Sequence, residues 1–367
     1  MPRPEPAPLC DGQVEAALPG VRINSMKNES TARQIVLASR PRGKPTPANF
    51  RLEQIPIPSV PKGGVLVRVL YLSLDPYMRG RMDDRKSYAK PAGIGEVMPG
   101  QSVAEVIASD HPDYGIGETV LAKTGWRTHA IAEPANLEKI DPAFAPITTR
   151  LGVLGMPGFT AFGGLNVIGK PKPVETVVVA AASGPVGSLV GQLARISGAR
   201  AVGIAGGPDK CRYVTEELHF DAAVDHRTPD MAEKLAAHCP SGIDIYFENV
   251  GGAIWQAVLP LLNSFARVPV SGLISQYDAI PGTTGPDLLA ATMRAVLTKS
   301  LTLRGFINYE FTEKYYAEFL RTVSAGIASG RISYREDITD GLENAPGAFI
   351  AMLEGRNFGK ALVRVAR

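Results

Sequence analysis

The 367 residues of this chain predict an α/β protein built from two units, an all-β, barrel-like one and a doubly wound parallel sheet. Three observations predict it. Before about residue 150, short β-rich runs are broken by Pro and Gly and helical spacing is scarce. After that point, fully apolar strands alternate with helix-length segments. At Thr176–Gly191 a β-branched apolar run meets a helix through a tight turn of small residues, Ala182-Ser-Gly184-Pro-Val-Gly187.

Taken in order, residues 1–30 read as a tail expected to be disordered. Met1-Pro-Arg-Pro-Glu-Pro-Ala-Pro cannot pair regularly because its prolines lack N–H donors. Met26 is a second candidate for the translation start. From Gln34 the runs Gln34-Ile-Val-Leu-Ala, Phe50-Arg-Leu-Glu-Gln-Ile, Gly64–Ser73, Val103–Ala108 and Glu118–Ala122 read as strands of a barrel-like unit. Thr176–Ala182 is a strand buried on both faces, and Val186–Ile196 the helix after it. Ala201–Ala205, Pro208–Glu217, Ala222–Val224, Ile243–Phe247 and Arg267–Ser271 continue the alternation, which implies a parallel sheet with crossover helices. An amphipathic helix at Glu313–Ser324, a polar strand and a final strand at Gly359–Val365 break that rhythm, so the chain is expected to return to its first unit.

Composition excludes several classes. Apolar residues are 45% and charged residues 20%, an ordinary globular balance, and the net charge of +3 argues for neither nucleic acid nor an anionic membrane. No apolar run is long enough to span a bilayer, and no basic-then-apolar leader opens the chain. The cysteines Cys10, Cys211 and Cys239 form no C-x-x-C pair, the histidines no H-E-x-x-H, and His238-Cys239 lacks further ligands. Neither a disulfide framework nor a zinc site is expected, and a reducing, cytoplasmic setting fits.

The turn at Ala182–Gly187 matches the dinucleotide-binding pattern, with alanine in the first glycine position. Gly184 lets the backbone approach a pyrophosphate, Gly187 lets the helix pack on its strand, and the helix N-terminus at Val186 offers N–H groups to the phosphates. NAD-selective sites place an acid about 20 residues on, at the end of the second strand. Here that strand ends in Gly206-Gly207, followed by Pro208-Asp209-Lys210. Lys210 and Arg227 are candidate partners for a 2′-phosphate, which favours NADP; Asp209 is the residue that argues the other way.

Six stretches in this order, Leu72-Ser-Leu-Asp-Pro-Tyr-Met-Arg79, Gly155-Met-Pro-Gly-Phe-Thr-Ala161, the phosphate turn, Tyr246-Phe-Glu-Asn-Val-Gly-Gly252, Gly272-Leu-Ile-Ser-Gln-Tyr277 and Gly355-Arg-Asn-Phe-Gly-Lys360, give the chain a resemblance over residues 34–365. It resembles the zinc-independent medium-chain dehydrogenase/reductases, in the branch of leukotriene B4 dehydrogenase, prostaglandin reductase, plant alkenal double-bond reductase and bacterial curcumin reductase. The resemblance implies a GroES-like substrate domain at residues 31–150, completed by 312–367, and a Rossmann NADP-binding domain at 151–311. It places Lys210 at the 2′-phosphate, with His226 where the family has a tyrosine. Asn249, Ser271 and Tyr277 fall at the cofactor edge, Phe306 and Asn308 along the nicotinamide, and Asn357 on a returning C-terminal segment. It also implies a homodimer joined through the cofactor domains.

The chemistry follows from what is missing. Without zinc ligands to polarise a carbonyl, a carbon–carbon double bond beside a carbonyl is the better substrate. Hydride adds to the β-carbon, charge builds on the carbonyl oxygen, and that oxygen needs hydrogen-bond donors. Tyr77, Tyr88 and Tyr277 match tyrosines lining the family's cleft, and a phenol with a pKa of about 10 donates while neutral. A tyrosine or water protonates the α-carbon. Arg79 is expected to pair with Asp75 or a neighbour. The loops at Tyr88, Gly93–Met98 and Tyr277–Leu289 would shape specificity among enones, enals or quinones. Quinone reduction by the same hydride transfer, and a non-catalytic cofactor-binding structural role, are the alternatives.

Overall fold

A computed structural model describes residues 22–23, 31–278 and 287–366. The rest of the expected tail, the Met26 start and most of the Tyr277–Leu289 loop lie outside the described residues. The strands of the first unit are β1 (Arg22–Ile23), β2 (Thr31–Leu37), β3 (Phe50–Pro56), β4 (Val65–Ser73), β5 (Ser102–Ser109), β6 (Thr119–Ala122), β7 (His129–Ala132) and β8 (Glu138–Lys139). Those of the second are β9 (Thr176–Ala180), β10 (Arg200–Ala205), β11 (Ala222–Asp225), β12 (Ile243–Phe247), β13 (Leu262–Val270) and β14 (Thr302–Gly305), and the chain ends with β15 (Glu336–Asp340) and β16 (Lys360–Arg364).

The second sheet is parallel, in the order β11-β10-β9-β12-β13-β14. The order reverses between β9 and β12, so the carboxyl ends of these strands open a crevice. Val177, Val178 and Val179 are fully buried because helices cover both faces at the centre of the sheet. The fold class is therefore the α/β one that the alternating pattern predicts.

The first sheet runs β15-β16-β4-β5-β6-β8, with β1 on β5 and β7 on β4, while β2 and β3 form a separate ribbon. The expected barrel is corrected here: among the described residues the hydrogen-bonded path ends at β15 and β8 and does not close. β4 shows why. One edge pairs with β5 through two register shifts, while the other is shared, Val65–Arg68 going to β7 and Tyr71–Ser73 to β16. A strand divided between two neighbours opens the sheet instead of continuing it around.

The helices are α1 (Tyr77–Arg81), α2 (Met156–Gly163), α3 (Pro185–Ile196), α4 (Pro208–Arg212), α5 (Met231–His238), α6 (Gly252–Val258), α7 (Leu289–Lys299), α8 (Thr312–Ala328) and α9 (Ala345–Leu353). The chain beyond residue 311 divides. α8 sends Phe319 and Val323 into the core beside α2 and the parallel sheet. β15, β16 and α9 complete the first sheet, where Phe349 meets Trp126 edge-on at 5.6 Å and Phe50 at 6.2 Å.

Phe349 is fully buried, so Phe349→Ala leaves a cavity beneath Trp126. Such a truncation costs about 3–5 kcal/mol. Chemical denaturation should show that loss, and Phe349→Leu a smaller one; an unchanged midpoint in the alanine variant would show that the C-terminal return contributes little to the core.

Candidate functional site

The strand-to-helix turn has the geometry that the sequence requires of it. β9 ends at Ala180, and Ala181 takes a left-handed conformation with φ +54°. Gly184 caps α3 with extended backbone, and Pro185 occupies the first helical position, where its missing N–H costs nothing. Val186 and Gly187, in the first turn, have no carbonyl four residues back to receive their N–H groups. A Cβ on Gly187 would lie 2.4 Å from the Ala181 carbonyl oxygen, so only glycine lets the helix sit this close to its strand. This is an anion-ready helix terminus at the crevice.

At the end of β10, basic side chains gather around Gly206 and Gly207. A Cβ on Gly206 would come 2.8 Å from His226 Nε2 and 3.0 Å from Arg227 Nε. Lys210 Nζ donates to the Gly355 carbonyl at 2.7 Å, which brings the C-terminal segment to the same place. Burial lowers the pKa of Lys210, and the nearby Arg227 charge adds to it; burial and Arg227 also push His226 down. Three acids that could oppose this cluster are engaged, the first being Asp337, whose charge reaches Lys210 and whose carboxylate accepts from the Phe358 N–H at 2.9 Å. Burial would raise the Asp225 carboxyl, but the Gly207 and Arg227 N–H groups, each donating at 2.9 Å, and the His226 and Arg227 charges hold it below the carboxylate range. Asp209 pairs with Arg212 on the outer face of α4. Lys210, His226 and Arg227 thus form a basic pocket suited to a phosphate.

Across the crevice, Asn249 Nδ2 donates to the Ala180 carbonyl at 2.9 Å and ties the end of β12 to that of β9. The Ser271 N–H donates to the Glu248 carbonyl at 2.9 Å. Sequence reasoning passed over Glu248 although it lies inside the Tyr246–Gly252 motif. Its buried carboxylate accepts from Val250 N–H at 2.7 Å, Gly251 N–H at 2.8 Å and the Tyr246 hydroxyl at 2.9 Å, and so shapes the loop that carries Asn249. Phe306 is buried against Phe247 and Phe311. Asn308 Nδ2 reaches Met156 O at 3.3 Å and Thr160 Oγ1 at 3.2 Å, and Asn357 Nδ2 reaches Gly359 O at 2.8 Å. Both side chains of the Phe306–Asn308 segment are occupied in packing, so what this segment offers the crevice is its backbone.

The three tyrosines converge. Tyr88 lies close enough to interact electrostatically with both Tyr77 and Tyr277. Burial, and then the Asp75 charge, raise the Tyr77 phenol far above its ordinary value; burial raises Tyr277 as well. Both are neutral donors across the physiological range. Tyr88 is 55% exposed, yet it is not a bare loop residue. The Arg81 guanidinium lies 4.3 Å from its ring centre and 5.8 Å from that of Tyr77, and Arg81 is held by the Ala89 carbonyl at 2.8 Å. Arg81 is a cleft residue that the sequence reading missed, although it closes the helix that carries Tyr77.

Of the partners expected for Arg79, Asp75 or a neighbour, the neighbour Asp83 pairs and Asp75 does not. Arg79 Nε donates to Asp278 and Nη1 to Asp83, each at 2.8 Å, and Nη2 to the Gly43 carbonyl at 2.8 Å. Asp75 instead receives Lys360 Nζ at 2.7 Å and the Ser73 hydroxyl. Asp75 and Asp83 are equally near in sequence, and α1 turns Arg79 away from the first and toward the second and Asp278. Among the described residues no group of His, Cys, Asp and Glu is arranged to hold a metal ion.

Comparison with known proteins places this geometry in context. A family model described as the N-terminal domain of oxidoreductase matches residues 33–140, and one described as zinc-binding dehydrogenase matches residues 185–325. The NADPH-dependent curcumin reductase of Escherichia coli (strain K12) is 52% identical over 334 residues, 91% of this chain and 97% of its own. The 2-alkenal reductase (NADP(+)-dependent) of Nicotiana tabacum is 38% identical, over 93% of this chain and 100% of its own. The crystal structure of CurA in complex with NADPH from Vibrio vulnificus superimposes with a TM-score of 0.88 at 51% identity, covering 91% of this chain and 99% of that one.

The contact at Gly187 gives a direct test of the turn. Gly187→Ala must move α3 off β9, at about 1–3 kcal/mol. Thermal unfolding should show a lower midpoint, and the added stability conferred by NADPH should be smaller than in the unmodified protein; an NADPH-induced shift of the same size in both proteins would remove the turn from the binding site.

Proposed function

We infer the reaction from a plain premise: this chain belongs to the medium-chain dehydrogenase/reductases, in the branch of the curcumin, 2-alkenal and prostaglandin reductases. It is an NADP-dependent oxidoreductase that reduces the carbon–carbon double bond of α,β-unsaturated ketones or aldehydes. The observation that carries this is the 52% identity to an NADPH-dependent curcumin reductase over 91% of the chain. When bound, NADPH supplies the hydride that the β-carbon receives.

The chain's own residues are read as follows. Gly184, Val186 and Gly187 present backbone to the pyrophosphate. Lys210, His226 and Arg227 hold the 2′-phosphate; His226, kept neutral by burial and Arg227, is a hydrogen-bond partner there rather than a fixed charge. Asn249, Ser271, the backbone of Phe306–Asn308 and Asn357 border the ribose and carboxamide. Tyr88 and Tyr277 donate to the substrate's carbonyl oxygen as charge builds on it, and Tyr77 supports them from beneath. Their hydroxyls suit the task because burial favours the neutral, donating form of Tyr77 and Tyr277. Residues 31–150, completed by β15, α9 and β16, serve as the substrate unit, and 151–311, with α8 packed on its core, as the cofactor unit. The scarcity of cysteine, with Cys211 and Cys239 both free, supports a reducing, cytoplasmic setting.

The partner read for this chain is a second copy of itself. α7 exposes Leu289, Met293 and Leu297, at 64%, 57% and 81%, spaced four residues apart so that they form one apolar stripe. β14 lies at the end of the parallel sheet, with an outer edge that pairs with nothing among the described residues. Both features sit on one border of the cofactor unit, as a homodimer through these units requires.

Two experiments test this reading. In an NADPH-oxidation assay on curcumin and trans-2-hexenal, Lys210→Ala and Arg227→Ala should each raise the KM for NADPH about tenfold or more, leaving NADH unaffected. In the same assay Tyr277→Phe and Tyr88→Phe should lower kcat, by about 100-fold where the tyrosine is the main donor. Turnover unchanged in both tyrosine variants would remove the donors, and a native preference for NADH would sink the phosphate pocket. Analytical ultracentrifugation should give twice the 39.0 kDa chain mass, and Leu297→Lys with Met293→Lys should give the chain mass; a monomeric native protein at micromolar concentration would refute the dimer.

A further inference from the structure

We propose that Arg79 is a positioning residue for the reaction: by gripping Asp278 it holds the loop that carries Tyr277 at a fixed spacing from α1, which carries Tyr77. The proposal rests on the reading of Tyr277 as a donor.

The grip is a three-point one. The Arg79 side chain is only 3% exposed, and its guanidinium makes bonds of 2.8 Å to Asp278, to Asp83 and to the Gly43 carbonyl. A rigid planar fork can address three acceptors in three directions, whereas a lysine ammonium at the same place is a compact point charge without that fork. The three bonds differ in what they join. Asp83 lies four residues on, just past the end of α1, and Gly43 belongs to the same end of the chain, so these two fix Arg79 within its own unit. Asp278 is 199 residues away, beyond the end of β13. That bond alone spans from the first unit to the loop at the carboxyl edge of the parallel sheet.

The residues flanking this bond are those of the cleft. Tyr77 is two residues before Arg79 on α1, and Tyr277 directly precedes Asp278. The loop itself is a short turn, with the Tyr277 N–H donating to the Ile274 carbonyl at 3.3 Å. The hydrogen bonds that Ser271, Gly272, Ile274 and Ser275 of this loop make to other segments run to Glu248, Asn249 and Val250, all on the cofactor side. The Arg79–Asp278 bond ties the loop that carries Tyr277 to the opposite wall. A shift of about 1 Å at a reacting group can cost about 100-fold in rate, so a loop free of the grip would carry a correctly built Tyr277 to the wrong place.

The bond can be cut without stranding a buried charge, because Arg79 keeps Asp83 and Gly43. Asp278→Ala in the full-length protein should therefore fold with a nearly native unfolding midpoint and bind NADPH, read by fluorescence, within about twofold of the native Kd. Its kcat on curcumin and on trans-2-hexenal should fall about 10- to 100-fold. Asp278→Glu, which keeps the carboxylate, should recover most of that loss. Added to Asp278→Ala, Tyr277→Phe should cost far less than it does alone, since both changes act on the same contact. An unchanged kcat in Asp278→Ala, a kcat lost only in step with the unfolding midpoint, or two losses that simply multiply would each overturn the proposal. The two readings separate cleanly. A slow Tyr277→Phe with a normal Asp278→Ala keeps the donor and removes the grip. A normal Tyr277→Phe with a slow Asp278→Ala removes the donor and leaves Arg79 as the residue that sets the spacing of the cleft walls.

Discussion

Lys360 is a cation with 3% of its side chain exposed, and it donates at 2.7 Å to both the Leu74 carbonyl and the carboxylate of Asp75. A buried ammonium is tolerable only with such partners, and removing one partner of a buried pair costs about 3–5 kcal/mol. The pair fixes the start of the last strand, β16, against the segment between β4 and α1. Both walls of the site depend on that junction. On one side it sets where α1 leaves the sheet, and so where Tyr77, Arg79 and Arg81 point. On the other it anchors the 355–359 loop, whose Gly355 carbonyl receives Lys210 and whose Phe358 packs edge-on against Tyr213 at 5.1 Å. The C-terminal return is thus part of the site's frame as well as of the first unit's core.

The site is electrostatically divided. Its far end is basic, with Lys210, His226 and Arg227 around a glycine pair and the nearby acids Asp225 and Asp209 already engaged. Its near end is neutral but rich in donors, since burial keeps Tyr77 and Tyr277 protonated and Arg81 lies over the more exposed Tyr88. Fixed cations suit a ligand charge that is present before and after reaction. Neutral phenols suit a charge that appears only as the reaction proceeds, because they strengthen their hydrogen bond as it develops and do not bind an anion tightly in the ground state.

How much of this the chain announces depends on how local each feature is. The phosphate turn was legible because everything it needs lies between Thr176 and Gly191: a strand, two glycines with distinct steric duties, and a proline fit for a first helical position. Lys210 was legible because it follows directly on the strand whose end lacks an acid. Of the partners of Arg79, the neighbour Asp83 was within reach of sequence reasoning, four residues on as Asp75 is four before, but Asp278 was not, since no spacing rule could bring it near. The barrel failed for a similar reason. Alternating apolar runs predict strands, but not that β4 would divide one edge between β7 and β16 and so leave the sheet open. Phe306, chosen by resemblance, packs its ring against Phe247 and Phe311, a contact that no spacing in the sequence announces.

The sequence by itself determined the fold class, the strand–turn–helix at Thr176–Gly191 and the bias toward a phosphorylated cofactor, because each is set by residues within one strand–turn–helix span or one short motif. Only the tertiary structure decided which polar groups meet: Lys360 with Asp75, Arg79 with Asp278, Asn249 with the end of β9. These pairings join segments tens to hundreds of residues apart. Their partners are chosen by the order of strands in the sheets and by the cost of burying a charge alone, and neither is encoded in the spacing of the residues concerned.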